Sequence, residues 1–146
     1  MKSVSIQKKT IIGTISILFL VLFVYTASSK LLDLGLFELR LGRMPYIAPY
    51  ASLLSWSVPL LELVIAGLLL IPKLRIIGLY ASGILLTLFT IYIIAVLQFS
   101  DDIPCSCGGI ISSLGWTDHI ILNSFLVVLA LLGILWSKKQ YNVQTH

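Results

Sequence analysis

Residues Ser52–Ile71 read SLLSWSVPLLELVIAGLLLI, a run of twenty with a single charged side chain, Glu62. About 20 predominantly apolar residues are needed to cross the hydrocarbon core of a bilayer as a helix, so this stretch reads as a membrane span. Three more runs of the same kind flank it, approximately Ile11–Ala27, Ile76–Leu97 and His119–Trp136. The 146 residues are 58% hydrophobic and only 11% charged, with a mean hydropathy of +1.04. That composition excludes a soluble globular domain. The expected fold is all-α: a polytopic membrane protein, one domain over 1–146, built as an antiparallel bundle of four transmembrane helices.

Lysine and arginine set the orientation. Lys2, Lys8 and Lys9 precede the first span, Lys73 and Arg75 separate the second and third, and Lys138 and Lys139 follow the fourth. These seven of the ten basic residues fall on one side, which the positive-inside rule makes cytoplasmic. Lys30, Arg40 and Arg43 fall on the other side, in the first outer loop. Both termini are then expected inside, with the loop over 98–118 on the outer side. The net charge of +4 is an orientation signal; no basic stripe interleaved with aromatics points to nucleic acid. The lysines before the first span and Ala27, Ser28 and Ser29 after it also suit a secretory leader. The apolar stretch exceeds the roughly 7–15 residues of such signals, so a retained helix is expected.

Between the first two spans, Leu31 to Leu41 mixes leucines with Asp33, Glu38 and Arg40 in neither a clean helical nor a clean strand period. A short helix at the outer interface is expected there, ended by Pro45 and Pro49. Tyr46, Tyr50 and Trp56 suit the aromatic belt. Pro72 to Arg75 reads as a tight inner turn. Pro59 frees the carbonyl of Ser55 and is expected to kink the second span.

Glu62 is costly where it stands, about 2.5–3.5 kcal/mol on insertion scales. It calls for a partner in the bundle interior, and by depth Thr87, Thr90 or Tyr92 can offer hydroxyls. It reads equally as a proton-carrying or ligand-site acid, or as a protonated acid gluing two helices. His119 and Asn123, four apart at the start of the fourth span, share a helix face. His119 can accept a proton from a thiol or bond a quinone carbonyl, although the plainer reading is a solvated histidine at the membrane interface. Asn123, deeper, reads by default as an interhelical contact. Ser28, Ser29 and Lys30 can cap and snorkel at the outer end of the first span, or line the mouth of a central site.

The chain has two cysteines, both in Pro104-Cys105-Ser106-Cys107-Gly108-Gly109. As a structural staple the pair is weak: closing a three-residue loop is worth about 1.6 kcal/mol, near half the value for fifteen residues. Sulfurs at i and i+2 reach disulfide geometry only where the backbone bends sharply, and Gly108 and Gly109 permit that bend. Strained, exposed disulfides are the labile, catalytic ones, and the outer side is where disulfides persist. Cys105 and Cys107 therefore read as redox-active. With all thiols in one loop, the protein cannot relay electrons across the membrane by its own cysteines. Electrons must pass to an outer-side protein or to a membrane carrier such as a quinone. Competing readings are a Cu(I)-binding membrane protein, since two thiolates can hold Cu(I) nearly linearly, and a non-catalytic assembly factor that uses the dithiol for docking. A closed zinc site would need two more ligands, so no metal is assigned.

The chain resembles the MauE branch of the DoxX-like membrane proteins, which are associated with methylamine utilisation and periplasmic thiol chemistry. The resemblance rests on Ser29-Lys30-Leu31, Glu62 with Gly67, Cys105-Ser106-Cys107 and Asn123, and covers nearly all of the chain through Trp136. Gly108-Gly109 stands where the family often has an aromatic and then glycine, and Leu122 where a basic residue is usual. The resemblance implies a factor that helps form or rearrange disulfides in an exported substrate protein, alongside a thioredoxin-like partner. Cys105 and Cys107 would be the reacting pair, with Glu62, His119, Asn123, Lys30 and Gly108 in support.

Overall fold

The computed structural model describes the backbone of residues 2–99 and 115–144, and the side chains over 6–7, 9–99 and 115–137. Cys105, Cys107 and Gly108 lie outside the described residues. Among the described residues five helices follow in order: α1 (Lys2–Leu32), α2 (Leu34–Leu41), α3 (Ala51–Leu70), α4 (Arg75–Phe99) and α5 (Trp116–Gln144), with a 3-10 turn over Ala48–Tyr50 before α3. Four of them are long and apolar enough to cross a membrane. The all-α, four-span architecture is the one the hydropathy calls for. The helices outrun the apolar runs at several ends, most of all in α1 and α5, because polar residues flanking a span continue its backbone hydrogen bonding.

The bundle is two antiparallel pairs, α1 against α3 and α4 against α5, joined mainly through α3–α4 and α1–α5 contacts. Its interior is filled by Phe19, Phe23, Ile65, Leu69, Leu79, Leu86, Leu126, Ala130 and Ile134, with the Phe19 and Phe23 rings stacked at 6.2 Å. Only 33% of the most apolar stretch of α3 is buried. Leu53, Trp56, Leu60 and Val64 stay more than half exposed on its outward face. A surface of that kind is stable against lipid tails and not against water.

Local chemistry explains the breaks. Asp33 leaves helical geometry at φ −132°, ψ 56°, ending α1, and its carbonyl accepts the Phe37 N–H at 3.0 Å to open α2. Gly42 closes α2 by donating its N–H to the Glu38 carbonyl at 2.9 Å. The short helix expected in this segment is thus present, packed on α3 and ended at Gly42, before the prolines. Tyr46 sits at φ 67°, an uncommon conformation for a side chain of its size. Two tyrosines fasten this connection to α4: Tyr92 donates to the Pro45 carbonyl at 3.0 Å and Tyr46 to the Phe99 carbonyl at 3.3 Å. Pro59 is buried inside a helix that runs unbroken from Ala51 to Leu70.

Between α3 and α4 the turn is tight. Leu74 donates to the Ile71 carbonyl at 2.9 Å, and the Arg75 Nε donates to the carbonyl of Leu69 at 3.2 Å. The close α3–α4 contact depends on Gly78, where an added Cβ would lie 2.9 Å from Leu69 Cγ and 3.1 Å from its backbone nitrogen. Gly78→Ala should therefore destabilise the protein by about 1–3 kcal/mol through overpacking, read as an earlier midpoint in an SDS titration. Gly67→Ala, whose Cβ would meet nothing within 4 Å, is the control. Equal midpoints would show that the contact carries no packing constraint.

Candidate functional site: an ion pair inside the bundle

Glu62 lies near the middle of α3, with only 3% of its surface exposed. An acid at that depth needs a cation or hydrogen-bond donors. The hydroxyls expected to serve it are engaged elsewhere: Thr87 donates to the Gly83 carbonyl and Thr90 to the Leu86 carbonyl, each at 2.7 Å, while Tyr92 reaches Pro45. Threonine within a helix readily satisfies itself on the carbonyl four residues back. Instead the partner comes from α1: Lys30 Nζ donates to Glu62 Oε1 at 2.7 Å.

The backbone directions make this reach possible. Side chains lean toward the N-terminus of their own helix, and α1 and α3 are antiparallel. The stem of Lys30 therefore leans back along α1 into the bundle, and that of Glu62 leans along α3 toward the end where α1 stops. Lys30 snorkels inward, with its side chain 23% exposed against 4% for Glu62. Its ammonium also stands 5.8 Å from the centroid of the Phe37 ring on α2, within cation–π range. The contact is interhelical, as one reading of Glu62 has it, but the partner is an ammonium ion.

The site is incomplete on one side. Thr26, one turn before Lys30, stands beside the carboxylate, yet its hydroxyl donates to the Phe23 carbonyl at 3.3 Å. Glu62 Oε2 is buried with no hydrogen-bond partner among the described residues. A buried acceptor left unmade costs about 1–3 kcal/mol, more for a charged group, so its retention needs a reason.

His119 and Asn123 occupy the face of α5 that continues through Leu126, Ala130 and Ile134 into the core. The helix starts on a local cap in which Asp118 Oδ2 accepts the Gly115 N–H at 3.2 Å. His119 is half-buried rather than solvated, and its Nε2 is sealed from solvent with no partner among the described residues. Asn123 is half-buried one turn further in. The structure thus joins Lys30 and Glu62 and puts His119 and Asn123 on a common face. Phe37 and Thr26 belong to the site and were not flagged by the sequence, since neither type stands out among apolar residues until Lys30 is seen turning inward.

Four helices long and apolar enough to cross a membrane, with an ion pair joining the first span to the second, define a multi-pass integral membrane protein. The chain belongs to the MauE family: the family model described as methylamine utilisation protein MauE matches residues 8–136. That range takes in all four spans, the ion pair, the dithiol and Asn123, and the membership implies a membrane protein of methylamine utilisation. No match was found among curated proteins or among solved structures.

Proposed function

We propose that this protein is a membrane-embedded thiol–disulfide redox factor that assists disulfide formation or maturation of an exported protein, working with a thioredoxin-like partner on the outer side of the cytoplasmic membrane. The observation that carries the reading is the Cys105-Ser106-Cys107 pair, the only thiols of the chain, placed together in the connection between α4 and α5. Family membership supports it. Cys105 and Cys107 exchange electrons as a pair, Gly108 permits the bend their ring requires, and His119 at the start of α5 accepts a thiol proton. Asn123 braces α5 in the interior. Lys30 and Glu62 hold α1 to α3.

A labelling experiment tests both compartment and chemistry. In intact cells, a membrane-impermeant maleimide should modify Cys105 and Cys107 only after a mild reductant has opened their disulfide. A reporter fused at Gln144 should be active in the cytoplasm. Thiols that stay free under outer-side redox conditions, or a C-terminal reporter on the outer side, would overturn the reading.

A further inference from the structure

We infer that Lys30, Glu62 and Phe37 form the binding site for the head group of a membrane-soluble quinol. Three observations carry it. Lys30 has three N–H donors and Glu62 Oε1 takes one of them. Glu62 Oε2 is an acceptor with no hydrogen-bond partner among the described residues, on a side chain 4% exposed. Phe37 offers an aromatic wall beside the ammonium.

The ligand that completes such a site must give and take hydrogen bonds at one oxygen. It must be neutral, so as not to bring a second negative charge to Glu62, and soluble in the bilayer. A hydroquinone meets all three demands. Its O–H donates to Oε2, the same oxygen accepts from Lys30 Nζ, and its ring lies against Phe37. The oxidised quinone accepts only, and its carbonyl would face the Oε2 lone pairs. A phospholipid phosphate likewise offers acceptors only and repels the carboxylate. Entry runs through Lys30, the more exposed member of the pair: its flexible stem swings aside from Oε1 to admit the head group to Oε2, so the ligand exchanges rather than resides.

The inference rests on the proposed thiol–disulfide function only for the source of electrons. There, oxidation of the dithiol to the disulfide releases two electrons and two protons, which convert one quinone to one quinol. Binding can be tested without that chemistry. The full chain carrying Cys105→Ser and Cys107→Ser is placed in nanodiscs and titrated with decyl-tailed benzohydroquinone or the matching benzoquinone, against empty nanodiscs. The hydroquinone should bind saturably and about tenfold more tightly than the quinone, the worth of one charge-assisted hydrogen bond. Glu62→Gln, which keeps an acceptor for Lys30 but turns a donor toward the ligand, should reverse the preference. Phe37→Leu should weaken both forms and leave their ratio unchanged, and it spares the ion pair should Glu62→Gln fail to fold. Partitioning no greater than in empty nanodiscs would overturn the site, as would a ratio indifferent to Glu62→Gln. Because no thiol takes part, a failure here leaves the dithiol reading standing, and a protein that binds hydroquinone but shows inert cysteines loses that reading alone.

Discussion

Lys30→Met should be the most damaging single substitution in the membrane-spanning part of the protein, at about 3–5 kcal/mol. That is the usual cost of removing one partner from a buried ion pair and leaving the other charge uncompensated. Glu62 is 3% exposed and lies deep in α3, so without Lys30 its carboxylate must take up a proton, draw water in or force α1 and α3 apart. Glu62→Gln alone should cost less, because the Lys30 stem is partly exposed and can turn its ammonium outward. Combining the two substitutions should recover most of the loss. An SDS titration of the four proteins gives the cycle directly. Coupling within experimental error of zero would mean that the 2.7 Å contact does not hold the pair of helices together.

The second large effect concerns the thiols. Cys105→Ala or Cys107→Ala should each abolish function, and at least one of them should accumulate a mixed disulfide with an outer-side thioredoxin-like protein. Exchange proceeds by attack of a thiolate on a disulfide sulfur, and the resulting mixed disulfide is resolved by the second thiol. Without the resolving sulfur the adduct persists, visible on non-reducing electrophoresis and lost on adding reductant. A Cu(I)-binding protein would behave differently, losing metal stoichiometry with no adduct. Two single variants that never capture a partner, in cells where the disulfide of the parent protein is intact, would end the redox proposal.

Most of the fold was legible because a bilayer imposes a length and an apolarity that few other structures share. Ser52–Ile71 was expected as a span and α3 is Ala51–Leu70. Hydropathy reads the membrane rather than the helix, however, so the polar beginning of α1 and the polar end of α5 escaped it. The ion pair was half legible. Glu62 announced itself as an acid in an apolar run, but Lys30 lies at the end of one, where a basic residue is ordinary. Counting depth along spans pointed to threonine hydroxyls, and depth alone cannot show that a hydroxyl is already bonded to its own helix. His119 misled for a related reason: its place at the head of α5 suggested water, whereas its Nε2 is sealed.

Lys30 and Glu62 are only 32 residues apart in the chain, and both belong to the first pair of spans. Domains emerge from the ribosome N-terminal part first, at about 5–20 residues per second. The cation and the acid therefore reach the bilayer within seconds of each other, ahead of α4 and α5. The N-terminal half can thus enter lipid already charge-matched, without waiting for the C-terminal half to shelter its acid. Biogenesis would then proceed as the docking of two prefabricated hairpins, the second arriving with the dithiol connection between its helices.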